Sequence, residues 1–187
     1  MSLNRILAFA IFVLLAFGFL LGSTRVMART TSYPFEATYN VESTGEPIAG
    51  DVLRVRDVGD SNNAPYGLTK VENHNYALFK PKTTNVIKVG PDPATFGLTG
   101  ESFPFGKITF YGEGSDKLFG TETGTSTYDF EKLVGSGSYT ITIAGGEGKF
   151  RNAKGILTFS ETNVLSPDPT APIKGTWLVT GSFQTTR

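Results

Sequence analysis

GSGSYTITIAGGEGKFRNAKGILTFSE, residues 135–161, decides the fold. Tyr139, Ile141 and Ile143 alternate with Ser138, Thr140 and Thr142, and Leu157 and Phe159 alternate with Thr158 and Ser160. A period of two puts one set on a buried face and the other in water, the mark of a half-buried strand. Between the two runs stand Gly145, Gly146, Gly148 and Gly155. Glycines permit positive φ and close backbone approach, so the stretch reads as strand, tight turn, strand. Gly146 and Gly148 are expected at positive φ. Phe150 and Ala153 are left to plug the end of whatever the strands enclose.

The same alternation extends in both directions. Phe35, Ala37, Tyr39 and Val41 alternate with Glu36, Thr38, Asn40 and Glu42, and residues 45–50 turn the chain. Residues 51–58 form a second strand, with Leu53 and Val55 on one face and Arg54 and Arg56 on the other. Residues 57–65, rich in Gly, Asp, Ser, Asn and Pro, read as a loop. One or two short strands follow in 66–80 and another in 85–89. Residues 90–106 hold too many Pro and Gly to continue a ladder and make a long loop. Two or three strands occupy 107–111 and 117–130. After the central hairpin, 166–172 is a second Pro-rich loop, and 174–183 closes the domain with Trp177, Val179 and Phe183 on one face. No segment carries a 3.6-period apolar face longer than about two turns, so helix content is small. Many short strands with frequent turn signals define an all-β sandwich or barrel.

The first 28 residues stand apart from this pattern. Arg5 precedes an apolar run over 6–21, and Val26, Met27 and Ala28 supply the small or permissive residues of a cleavage site. That is the form of a secretory signal peptide. The run falls short of the roughly 20 apolar residues that span a bilayer. Cleavage after Ala28 leaves 159 residues, enough for one domain with a sizeable core. The expected product begins at Arg29, keeps no stable membrane anchor, and is secreted or periplasmic.

Charge and composition exclude several classes. The chain has 17 basic and 17 acidic residues, and losing Arg5 and Arg25 leaves a net charge near −2. Nothing in that balance attracts nucleic acid. With no cysteine, the chain has no thiol nucleophile, thiolate metal site or disulfide. Stability then rests on core burial and barrel closure.

Three motifs carry chemistry only on first sight. Gly145-Gly146-Glu147-Gly148-Lys149 resembles a phosphate loop, but Phe150 follows the lysine and no helix begins there, so it reads as a structural turn. His74, the only histidine, reads as solvated, which leaves histidine metal sites and Ser-His-Asp machinery little to draw on. Asp57, Asp60, Asn62 and Asn63 are oxygen donors without EF-hand spacing and read as loop residues. No metal and no cofactor is expected.

The stretch GGEGKFRNAKG, preceded by an alternating strand and followed by ILTF, resembles the GG-x-G-x-F-x-x-A-x-G signature of the allene oxide cyclase and dirigent group. The resemblance covers roughly 25 residues, with a looser match of strand spacing from Tyr33 onward. It implies a single calycin-like antiparallel β-barrel of about eight strands. For activity it implies a cofactor-free cyclisation steered by a glutamate on the first strand. Glu42 is the nearest match and Glu36 the other candidate, although both share the face opposite Phe35, Ala37 and Tyr39. The cyclases' site cysteine has no counterpart here.

In an eight-stranded barrel the interior is either filled by side chains or holds one small ligand. Tyr39, Tyr139 and Trp177 are the inward residues whose polar ends suit an apolar or aromatic small molecule. Phe103 and Phe105, in the long middle loop with Phe96, either line an entrance or fold onto the barrel as a lid. The loops 57–65, 90–106 and 166–172 are expected at an open end opposite the glycine hairpin. Two functions follow: a binding or structural barrel without catalysis, monomeric or oligomeric, or a cofactor-free cyclase or isomerase. A titratable group inside a cavity of at least roughly 300 Å³ is the feature that favours the enzyme.

Overall fold

The structure, a computed structural model, describes residues 29–79, 86–98, 106–168 and 170–186. Its strands are β1 (Thr30–Ala49), β2 (Val52–Asp60), β3 (Lys70–Leu78), β4 (Val86–Gly90), β5 (Lys107–Tyr111), β6 (Lys117–Asp129), β7 (Val134–Glu147), β8 (Lys154–Val164) and β9 (Ile173–Thr186). Helical structure among the described residues is confined to short 3-10 turns. The leader assigned to residues 1–28 lies outside the described residues.

All neighbours pair antiparallel, and the sheet closes on itself through β2 and β3. The nine strands fill eight positions. β4 and β5 both lie between β3 and β6, end to end: β4 pairs with the later part of β3 and β5 with its earlier part. One wall strand is thus interrupted between Gly90 and Lys107, opposite Asn75 of β3 and residues 121–123 of β6. The expected barrel of about eight antiparallel strands is the fold observed.

Several boundaries differ from the sequence reading. β1 does not turn at residue 45 but runs on to Ala49, with a register shift between Pro47 and Ala49. Residues 107–130 hold two strands, β5 and β6, within the two or three expected, and a register shift at Phe119 and Gly120 interrupts β6 without ending its ladder. β2 continues to Asp60, so Asp57 belongs to a strand and not to a loop.

One end of the barrel is sealed. Phe150, on the 3-10 turn between β7 and β8, is fully buried, as is Ala153. Phe150 meets Phe183 edge-on at 5.5 Å between ring centroids, and Tyr33 stacks on Phe183 at 5.0 Å. Gly148 has φ +61° as expected, but Gly146 does not have positive φ. Gly146 is needed for a different reason: a Cβ there would lie 2.4 Å from the Phe150 carbonyl oxygen and 2.6 Å from that of Lys117. Lys149 ties this end together, its Nζ 2.9 Å from both Asp116 Oδ2 and the Tyr66 carbonyl oxygen. The turn-like reading of the GGEGK segment is therefore given a structural role.

Candidate functional site

The inward alternation continues past the sealed end but changes character. On β3 it passes from Val71 to Asn73 and Asn75; on β6 from Leu118 to Glu122 and Ser126; on β8 from Leu157 and Phe159 to Glu161 and Asn163. On β2, Asp57 shares a face with Val55 and Leu53. Glu122 is 2 %, Asp57 5 % and Glu161 7 % exposed, and Asn73 and Asn75 are fully buried. Three carboxyl groups thus occupy the interior half of a barrel whose other half is aromatic and aliphatic.

Their partners come from opposite walls. Asn73 donates through Nδ2 to Asp57 Oδ2 at 2.8 Å and to Glu122 Oε1 at 2.9 Å. Asn75 Nδ2 also donates to Glu122 Oε1. Glu161 Oε1 accepts from the Ser126 hydroxyl and, at 3.1 Å, from the Tyr139 hydroxyl. The Ser126 and Tyr139 hydroxyls are hydrogen-bonded to each other. Asn163 donates to the Tyr128 hydroxyl at 3.2 Å. Room for this cluster comes from small inward residues: a Cβ on Gly137 would lie 2.6 Å from Glu161 Oε1 and 2.7 Å from Ser126 Oγ.

Above the cluster lies a cavity of about 100 Å³, lined among others by Asp57, Glu122, Ser126, Tyr139, Glu161 and Trp177. It shares Leu53, Ile87, Tyr128 and Ile173 with a wider mouth of about 700 Å³ that also takes in Phe130, Leu133 and Leu165. Tyr139, Phe159 and Trp177 form a continuous stacked wall, with successive centroids 4.4 Å apart. Several buried polar atoms have no hydrogen-bond partner among the described residues: Glu122 Oε2, Asn73 Oδ1, Asn75 Oδ1 and Trp177 Nε1. Leaving such an atom unpaired costs about 1–3 kcal/mol.

Electrostatics follow from this burial. Removal from water pushes the Asp57 carboxyl up to about 6, against hydrogen bonds from Ser43 and Asn73 that pull it down, and the Glu161 charge adds to the rise. Burial first, then the charge of Asp57, holds Glu122 well above the usual carboxylate range. Burial raises the phenols of Tyr128 and Tyr139 as well, so both stay neutral hydrogen-bonding groups. Among the described residues no Lys, Arg or His is buried, and no cluster of acids, histidines or cysteines is arranged to hold a metal ion.

The sequence-derived site residues divide. Tyr139 and Trp177 line the cavity. Tyr39 is buried, but its hydroxyl donates to the Leu68 carbonyl at 2.5 Å and the residue does not line the cavity. Glu36 and Glu42 are exposed on the outer face; β1 keeps an unbroken register with β9 through both, and Glu42 lies 3.5 Å from Lys174. Phe103 and Phe105 lie outside the described residues. Phe96 packs on the outer wall against Tyr76 and Val52. His74 is half-buried on the outer face of β3 beside Glu72. Of the three loops expected at the mouth, 166–172 lines it. The connection after β2 lies instead at the sealed end, where Tyr66 packs on Tyr33 and Phe183.

Asp57, Glu122 and Glu161 were missed as site residues. The signal was present: each acid holds the parity of an apolar run on its own strand, Leu53–Val55, Leu118 and Leu157–Phe159 respectively. Comparison of the chain with models of known families, with curated proteins and with solved structures gives no match.

Proposed function

We propose that this protein is an exported barrel that binds a small, largely apolar or aromatic molecule through its open half without catalysing a reaction. The observation that carries the reading is the cavity of about 100 Å³ among buried polar atoms without protein partners, opening into the apolar mouth of about 700 Å³. A packed barrel core has no use for unpaired acceptors, whereas a ligand with a polar end recovers their hydrogen bonds. The apolar rim, Leu53, Ile87, Phe130, Leu133 and Leu165, suits the ligand's body. The resemblance of the GGEGKFRNAKG hairpin to the allene oxide cyclase and dirigent group supports a barrel that takes up a small molecule and, for activity, belongs with the second reading below. No helix among the described residues is long and apolar enough to cross a membrane. Native mass spectrometry of the protein purified from the periplasm or medium tests the reading. A retained small molecule, or stoichiometric uptake of an apolar amphiphile, is expected; failure of both rejects it.

The second reading is a cofactor-free cyclase or isomerase, motivated by the two acids of raised pKa that line the inner cavity, which at about 100 Å³ falls short of the roughly 300 Å³ that favours an enzyme. Such groups can deliver and retrieve a proton near neutral pH. Isomerisation conserves mass, so the enzyme would convert a bound compound into one of equal mass and different chromatographic retention. A ligand released unchanged after prolonged incubation assigns the site to binding alone.

A further inference from the structure

We propose that the open half of the barrel receives an organic cation, a protonated amine on an apolar body, with its ammonium group among Asp57, Glu122 and Glu161. This deepens the binding reading above and rests on it.

Hydrogen-bonding capacity is the first argument. Most donors of the cluster are committed, Asn73 Nδ2 to two acids, Asn75 Nδ2 to Glu122, and the Ser126 and Tyr139 hydroxyls to Glu161, while the Tyr128 hydroxyl accepts from Asn163. Of the unpaired atoms, Glu122 Oε2 and Trp177 Nε1 belong to residues that line the cavity, while Asn73 Oδ1 and Asn75 Oδ1 lie behind it; Glu122 keeps its proton more firmly than an ordinary carboxyl and becomes a full acceptor when a bound cation displaces that proton. Glu122 is 2 % exposed and lines the cavity, so its free oxygen is held out of water. An ammonium group is donor-only and carries three N–H bonds. A carboxylate or phosphate is acceptor-only and finds almost nothing here to receive.

Charge gives the same answer. Three acids line the space, and no basic side chain among the described residues is buried to neutralise them. The groups that share the cavity with Asp57 are Glu122 and Tyr128 from β6, Tyr139 from β7 and Glu161 from β8, with Ser43 from β1, Asn73 from β3 and Trp177 from β9 beside them. An anion entering here meets no opposite charge, while a cation supplies a counter-charge to the acids that ionise. The stacked faces of Tyr139, Phe159 and Trp177 present aromatic quadrupoles, which attract cations and not anions.

Size completes the match. The inner cavity of about 100 Å³ takes a head group and little more, and the mouth of about 700 Å³ takes an apolar body. Binding of a cation favours ionised acids, so a proton leaves to solvent when the site is protonated. Affinity therefore falls as pH drops through the range near 6 where Asp57 titrates.

The test uses octylamine, 1-octanol and octanoate, one body with three head groups, titrated calorimetrically into the whole protein. Octylamine is expected to bind at least about tenfold more tightly than 1-octanol at about pH 8, and octanoate more weakly than either. Octylamine binding is expected to weaken about tenfold between about pH 8 and about pH 5, with one proton released per amine bound at the acidic end, while 1-octanol changes little. Glu122→Gln and Asp57→Asn are each expected to cost about tenfold for octylamine at about pH 8 and to leave 1-octanol within about threefold. If a variant does not fold, the head-group and pH comparisons on the wild type still decide. Equal affinity for amine and alcohol, or preference for octanoate, overturns the cation and leaves the binding pocket standing. Binding of none of the three overturns both.

Discussion

The two halves of the barrel interior obey one alternation and differ in content: only the open half takes in carboxyl groups. Toward the sealed end the inward positions are Phe35, Phe110, Leu118, Ile141, Ile143 and Phe183, capped by Phe150. Toward the mouth Asp57, Asn73, Asn75, Glu122, Ser126, Glu161 and Asn163 enter the inward set beside Tyr139, Phe159 and Trp177. The first half removes apolar surface from water and needs no polar partner. The second buries carboxyl groups, which costs free energy even with each acid partly hydrogen-bonded. A period of two therefore says which side chains face inward, and their chemistry says whether that interior is a core or a site.

This contrast has measurable consequences, beginning with the sealed half. Phe150→Ala removes a fully buried ring packed on Tyr33 and Phe183, and should lower the unfolding free energy in urea by about 3–5 kcal/mol. A loss below about 1 kcal/mol would mean the end is looser than its ring contacts indicate.

Glycine substitutions sharpen the comparison at intermediate size. Gly146→Val drives a side chain into the carbonyl oxygens of Phe150 and Lys117, which cannot move without distorting the 3-10 turn and the start of β6, and should cost about 1–3 kcal/mol. Gly137→Ala in the open half meets only side-chain atoms of Glu161, Ser126 and Tyr139, which have a cavity to move into. It should cost about 1 kcal/mol or less while impairing ligand uptake. Equal losses of stability from both variants would erase the distinction between packed and open halves.

The smallest effects belong outside the wall. Glu36→Gln and Glu42→Gln alter exposed groups and should change stability by no more than about 0.5 kcal/mol, with binding of an apolar amphiphile unaltered. Loss of uptake in either would bring the outer face into the site.

Much of the fold was legible in residues 135–161, because a strand with one buried face records its own orientation. The hairpin, the plug at Phe150 and the inward set of β1 and β9 all follow from that rule. The site was less legible, since looking for apolar residues inside passes over an acid that shares their parity. Asp57 was the hardest case: it stands where Val58-Gly59-Asp60 resembles the start of a loop, and only pairing with β3 shows the strand continuing. The tandem placement of β4 and β5 was not legible at all. It depends on two short strands finding the same gap between β3 and β6, which no local pattern encodes.

The central claim, that the open half keeps buried acids at a cost to stability, is tested most directly by comparing unfolding free energies of wild type and Asp57→Asn across pH. The native carboxyl of Asp57 titrates near 6, against 3.8 for an unperturbed aspartate. Between those values the native state holds a proton that the unfolded chain has lost, so the Asp57 contribution to wild-type stability falls as pH rises from about 4 to about 6 and then levels off. At 1.36 kcal/mol per unit the Asp57 contribution to that fall is about 3 kcal/mol, and Asp57→Asn, which has no proton to lose, should not show it. The variant should therefore gain on the wild type with rising pH, by up to about 3 kcal/mol at about pH 7. A difference that stays constant with pH, or one in which the wild type gains on the variant as pH rises, would contradict the account.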